Sequence, residues 1–155
     1  MPSKSLTAIC LIAAMSTLSA GSCHADSKRV VLITPDEARL SAPPTTGLSF
    51  RAGISRGPRV ELVSPKSPSA HSPVHLQLKF QGHGGAQIDM DSFKLTYVKT
   101  PPIDLTDRVK DFIKAAGIDV PEAVVPPGMH TIRAEIRDKD GRAGSLTFNL
   151  KVAKQ

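Results

Sequence analysis

Aromatic side chains make up only 4% of this 155-residue chain, with no Trp and a single Tyr. A core must therefore be filled mainly by Val, Ile and Leu, which suits strands and argues against an aromatic-lined platform for sugars or nucleobases. Cysteine is equally scarce. Cys10 and Cys23 are the only two, both within the first 25 residues, so the rest of the chain folds without an internal disulfide, a thiol nucleophile or cysteine-bound zinc. Apolar runs are short as well: the longest, Leu6 to Leu18, falls below the roughly 18 residues of a membrane-crossing helix, and no transmembrane span is expected. Basic residues outnumber acidic ones by 20 to 14, a net charge of +6, yet they are scattered rather than gathered in one run. That distribution argues against nucleic acid and leaves a weak, screened attraction to anionic envelope polymers or lipid headgroups.

What is present begins with an export signal. Lys4 precedes the apolar run, and Cys23-His24-Ala25 places small residues at the −3 and −1 positions of a cleavage after Ala25, the layout of a secretory signal peptide over 1–25. Ala20-Gly21-Ser22-Cys23 also resembles a degenerate lipobox, with Ala20 where Leu is preferred. Cleavage after Ala25 is the expectation, lipid attachment to Cys23 the alternative, and the product is periplasmic or secreted. Residues 26–57 are rich in Pro, Gly and hydroxyl side chains and predict an extended arm or linker, with Val30 to Ile33 as a short candidate strand.

Regular alternation starts at Arg59, and residues 58–155 are expected to form one domain. Val60 and Leu62 point one way, Arg59, Glu61 and Val63 the other; Val74, Leu76, Leu78 and Phe80 share a face opposite His75, Gln77 and Lys79. Gly82, Gly84 and Gly85 mark a reversal, after which Phe93, Leu95 and Tyr97 resume the inward positions. This period of two identifies half-buried strands. In DLTDRVKDFIKAAG the spacing changes: Leu105, Val109, Phe112, Ile113 and Ala116 predict a short crossover helix over about 104–116, with Asp104 or Thr106 as N-cap and Gly117 as its stop. A short apolar stretch around Ala123 to Val125 and the turn Pro126 to Gly128 follow.

The segment PPGMHTIRAEIRDKDGRAGSLTFNLKV carries the sharpest local choice. Two aspartates one residue apart, followed by glycine, begin like a calcium loop. The ligand set of such a loop requires an acidic residue at its twelfth position, where this chain has Asn149. Alternating segments flank Asp140-Gly141, with Ile132, Ala134 and Ile136 on one side and Leu146, Phe148, Leu150 and Val152 on the other, so the expectation is a β-hairpin with a solvated turn.

The succession RVELVSP, SPVHLQLKF, a helix-containing crossover and P-x-G-x-H-x-I-x-A-x-I-x-D-x-x-G-R resembles the bacterial immunoglobulin-like and fibronectin-III-like modules of cell-envelope proteins, over residues 58–152. The resemblance implies an all-β fold, an immunoglobulin-like antiparallel β-sandwich with one short crossover helix. His130 then stands where many relatives have a Tyr, implying a hydrogen-bonded corner residue. Such modules serve as spacers, adhesins, enzyme accessories and assembly partners alike, so architecture alone does not name a task.

Candidate chemistry is thin. His71, His75 and His83 surround the second strand without a compact ligand geometry. Asp89 with Asp91, and Asp104 with Asp107, are paired carboxylates at a strand entry and a helix start, where a backbone role is expected. Neither a G-x-S-x-G nor a phosphate-binding glycine loop occurs. The chain is therefore expected to be no enzyme, with no catalytic, metal or cofactor-binding residue assigned. The expected function is a non-catalytic exported envelope module that binds a protein or anionic polymer through a sheet edge or loops. A small periplasmic carrier of copper or another ligand is the alternative.

Overall fold

The computed structural model describes residues 28–43, 56–67, 69–114 and 116–154. The expected leader 1–25, including Cys23, and residues 44–55 of the expected arm lie outside the described residues. Among them the elements are β1 (Arg29–Val31), α1 (Pro35–Arg39), β2 (Arg59–Ser64), β3 (Val74–Gln81), β4 (Ile88–Tyr97), β5 (Ile103–Asp104), α2 (Thr106–Val109), β6 (Ile113–Lys114), β7 (Gly117–Val124), β8 (Gly128–Asp138) and β9 (Ala143–Val152). Short 3-10 turns cover His83–Gly85 and Lys110–Phe112. Two sheets form, ordered β1-β7-β3-β2, with β6 also on β7, and β5-β4-β8-β9. Pairing is antiparallel except for β1 on β7 and a bridge between Ala70 and Val152. The protein is an all-β sandwich of two sheets.

The period-two reading translates directly into this packing. Val74, Leu76, Leu78 and Phe80 from β3, Phe93, Leu95 and Tyr97 from β4, Ile132, Ala134 and Ile136 from β8, and Phe148, Leu150 and Val152 from β9 are all buried in one core. Each fully buried aliphatic side chain of this kind contributes roughly 1.5–3 kcal/mol. The rings are few and concentrated: Phe80 and Phe93 meet at 5.5 Å between centroids.

Two stretches depart from expectation. The crossover helix is one α-turn, Thr106–Val109, continued by a 3-10 turn. Leu105 and Val109 are fully buried, but Ala116 is exposed. Ile113 and Lys114 leave the helix to pair with Ile118 and Gly117; a tertiary ladder outweighs weak helical propensity. Gly117 accordingly starts β7 rather than stopping a helix, and the apolar stretch expected near Ala123 is the end of this eight-residue strand. Pro121, which hid it, is exposed at an irregularity in the β3–β7 register, where proline is tolerated in a sheet.

The second departure is the arm. Residues 28–43 belong to the domain: Arg29, Val30 and Val31 pair parallel with Glu122, Ala123 and Val124, and Leu32 and Ile33 are buried to 0% and 1% exposure. Thr34-Pro35-Asp36-Glu37 forms a capping box, in which Glu37 N–H donates to Thr34 Oγ1 (3.3 Å) and Thr34 N–H donates to Glu37 Oε2 (2.8 Å). Arg108 on α2 then grips Glu37 with both ends of its guanidinium, at 2.9 and 2.6 Å, and donates to the Leu32 carbonyl at 2.8 Å. Lys99 donates to the carbonyls of Ala38 and Leu40 at the end of α1. The hydrogen bonds from Arg108, joined by those from Thr34, hold the Glu37 carboxyl down at about 2.

At the opposite side of the sandwich two backbones cross in near contact. A Cβ on Gly144 would lie 1.8 Å from the Pro58 carbonyl oxygen, and one on Gly57 would lie 2.2 Å from that of Ala143. Gly144→Ala or Gly57→Ala is therefore expected to cost about 1–3 kcal/mol, read as a lower urea midpoint at constant m. Gly141→Asn, at φ 80° in open space, should cost under about 0.5 kcal/mol, because Asn tolerates the left-handed region.

A second test concerns the Arg108 fork. Since the Glu37 carboxyl titrates lower when folded than when unfolded, its contribution is complete above pH 4.5 and is lost as pH falls through about 2. Arg108→Met should lower stability at pH 7 by about 2 kcal/mol and flatten the decline in stability between pH 4.5 and 2, measured by urea unfolding across that range.

Candidate functional site

The two lateral sides of the sandwich differ. One is covered, because β1 and β6 share the outer edge of β7 while α2 packs against both β4 and β1. On the other, the edge strands β2 and β9 run beside each other. There the chain is clamped twice, by the Gly57–Pro58 crossing over Ala143–Gly144 and by Ala70. Ala70 N–H donates to the Lys151 carbonyl and Ala153 N–H donates to the Ala70 carbonyl, both at 2.9 Å.

These bonds fix which way the β9 backbone faces. Successive residues of an antiparallel strand turn their N–H and C=O groups to opposite sides. Asp138 N–H bonds the Arg142 carbonyl on the β8 side, whereas Lys151 and Ala153 bond Ala70 on the outer side. Ser145, Thr147 and Asn149 share the parity of Lys151 and direct their backbone groups outward. Among the described residues no strand is hydrogen-bonded to the outer side of this five-residue stretch. Its inward side chains include Leu146, only partly buried, and Phe148, at 8% the most exposed of the buried core residues. An unpaired backbone ladder thus lies beside apolar side chains that are incompletely covered.

His130 is buried at 2% exposure beneath the start of β8. The Pro126 carbonyl can only accept, so His130 Nε2 donates to it at 2.8 Å and Nδ1 is left to accept from the Tyr97 hydroxyl at 2.8 Å. Both ring nitrogens are engaged with the imidazole neutral. Burial pushes its pKa below the ordinary histidine value, with the nearby Lys99 acting in the same direction; burial likewise raises that of Tyr97. This is the hydrogen-bonded corner expected from the position of His130.

DKDGR is the turn of the β8–β9 hairpin, with Arg137 opposite Ala143. Gly141 N–H donates to the Asp138 carbonyl at 2.9 Å, and Gly141 takes the positive φ that closes the turn. Asp138 is buried, and its two oxygens accept from Arg142 N–H (2.8 Å) and Arg142 Nε (3.0 Å); Asp140 pairs with the same guanidinium. Arginine therefore occupies both acids of the turn. Of the other acids, Asp89 accepts from Asp91 N–H (3.2 Å), and Asp104 accepts from Thr106 N–H (2.8 Å); hydrogen bonding from the Thr106 side chain, joined by this backbone bond, depresses the Asp104 pKa. The Thr106 hydroxyl in turn accepts from Leu95 N–H at 3.0 Å. The three strand-flanking histidines are exposed, with His75 held to Asp119 at 2.7 Å. No group of three or more potential metal ligands forms among the described residues, and no helix among them is long and apolar enough to cross a membrane.

A second feature was not foreseen. On the outer face of the first sheet Lys79, Gly117 and Lys114 are cross-strand neighbours on β3, β7 and β6. A cavity of about 310 Å³ lies over Gly117 between the two lysines, lined also by Val63, Gln77, Ala116 and Asp119. The glycine is obligatory, since a Cβ there would lie 1.9 Å from the Leu78 carbonyl oxygen. Reading Gly117 as a helix stop concealed this feature. The capping signature Thr34-Pro35-Asp36-Glu37, by contrast, was legible and would have drawn residues 28–43 into the domain.

The buried imidazole makes stability depend on pH. A histidine whose pKa is lower when folded than when unfolded takes up its proton on unfolding, so stability is full above about pH 6.5 and declines below it, by up to about 1.4 kcal/mol per pH unit. Urea unfolding between pH 7.5 and 5 should show this decline, and His130→Gln should remove it; an unchanged slope in the variant would place the titrating group elsewhere. Comparison with protein-family models, with curated proteins and with solved structures gives no match, so function has to be argued from the geometry of the chain itself.

Proposed function

We propose that this chain is a non-catalytic, exported module of the cell envelope, of the immunoglobulin-like kind, which binds a protein partner by accepting an extended segment along β9. The observation that carries the reading is the outer edge of β9. Ser145, Thr147 and Asn149 present three consecutive outward pairs of backbone donors and acceptors, and the chain's own Ala70 already makes strand-like bonds to the same edge at Lys151 and Ala153. Main-chain bonds of this type supply affinity in strand addition, and pockets for alternate side chains supply specificity. Here the partly covered Leu146 and Phe148 favour a segment with apolar residues at alternate positions. The same edge is a hazard if left untended. Its polar outward side chains and the clamps at both ends restrict it to a short segment.

The exported setting rests on the leader-like residues 1–25 and the module class on the succession of strands and turns. Of the acids and histidines that could have supported catalysis or a metal carrier, Asp89 and Asp104 are engaged in backbone caps, Asp138 in the hairpin turn and His75 in a surface pair with Asp119.

Thr147→Pro tests the reading. Residue 147 turns its N–H away from β8, so proline removes an outward donor and leaves the hairpin ladder intact. The variant should unfold within about 1 kcal/mol of the parent. Its retention of a partner protein from an envelope extract should fall at least tenfold, whereas Thr147→Val should retain that partner. Equal retention by the proline variant, or recovery of polymer alone, overturns the proposal.

A further inference from the structure

We infer that the cavity over Gly117 is a second binding site, for a small aliphatic carboxylate whose anionic head sits between Lys79 and Lys114. It lies on the outer face of the first sheet and is independent of the β9 edge.

Three observations point to that ligand. The first is charge. Lys79 and Lys114 are both cross-strand neighbours of Gly117, so their backbones are two strand spacings apart, roughly 10 Å, with no side chain between them. Flexible four-carbon stems bring two ammonium groups onto one oxyanion from that separation. Neither lysine is in an ion pair among the described residues. Glu61 stands opposite Lys79 in the β2–β3 register without closing on it, and Asp119, the carboxylate that lines the cavity, is engaged with His75 at 2.7 Å.

The second is the nature of the walls. Val63, Ala116, the Gly117 backbone and the methylene stems of the lysines surround the space, so the body of the ligand is hydrocarbon rather than sugar, and aromatic stacking plays no part. Val63 is the informative residue. It belongs to the outward-facing set of β2, where Arg59 and Glu61 are exposed, yet it is itself half-buried. The third is size: about 310 Å³ stands at the lower end of the range for small-molecule sites, which suits a medium-chain acid and not a folded partner. Gly117 gives the site rigidity, because its φ of 148° and its contact with the Leu78 carbonyl leave no room for any other residue.

The test is an NMR titration of the purified chain with three probes: octanoate, octanol with nearly the same body and no charge, and acetate with the charge and no body. Octanoate should give saturable amide shifts centred on Leu78, Lys79, Gly117 and Ile118. Octanol and acetate should each bind at least tenfold more weakly, the loss expected when a charge-assisted contact or the apolar contact is missing. Lys79→Gln with Lys114→Gln should weaken octanoate about tenfold or more and leave octanol unchanged; both side chains are exposed, and an unchanged urea midpoint would show that the fold is retained. Octanol binding as tightly as octanoate, shifts centred on another face, no saturation up to about 10 mM, or a double variant that binds octanoate like the parent would each overturn the inference.

Discussion

The structure depends on one packing constraint: two facing sheets must exclude water with almost no aromatic side chains. Aliphatic residues reach only a short way, so the layers hold together where alternate Val, Leu and Ile positions of one sheet meet those of the other without a gap. The largest rings mark the places where a longer reach is required. Phe80 and Phe93 meet across the interior, and Tyr97 extends to His130 beneath the turn at Pro126. Among the described residues, every side-chain nitrogen and oxygen buried by this arrangement has a hydrogen-bond partner, as it must when an unpaired buried donor costs as much as a hydrogen bond is worth.

The same constraint accounts for the first segment of the domain. A sandwich with short β5 and β6 strands leaves the core open on one side, and Leu32 and Ile33 close it. They are held there by a polar device: a capping box whose carboxylate is gripped by Arg108 from the crossover. Because the guanidinium also reaches the Leu32 carbonyl, a single side chain ties the parallel strand, the small helix and the crossover together. The planar fork of arginine permits three simultaneous bonds that a lysine could not arrange.

On the opposite side the device is absence of side chains. Gly57 and Gly144 let two backbones cross, and Gly117 lets β7 lie hard against β3. These contacts also shape the surface. The crossing and the Ala70 bridge bracket a stretch of β9 that has no hydrogen-bonded strand partner on its outer side among the described residues, and a cavity between two lysines lies over Gly117. Both proposed sites thus lie where the sandwich closes, one at an edge and one on a face, and each shares a residue with the packing itself, Phe148 at the edge and Gly117 on the face.

Strand periodicity, the hairpin at Asp140-Gly141 and the inward position of His130 were all written in the local order of residues, because a period of two and a turn glycine depend only on near neighbours. The partner of His130 was not, since Tyr97 lies 33 residues away and only the β4–β8 register brings it close. Likewise Ile113 and Lys114 carry a helical pattern that β7 overrides, and Gly117 looked like a stop because nothing nearby in sequence reveals the Leu78 carbonyl it must clear. Local sequence thus determined which faces are apolar and where the chain reverses. Tertiary structure decided which edges stay open, where Arg108 finds its carboxylate and which lysines stand unpaired across a glycine, because each depends on contacts between residues far apart in the chain.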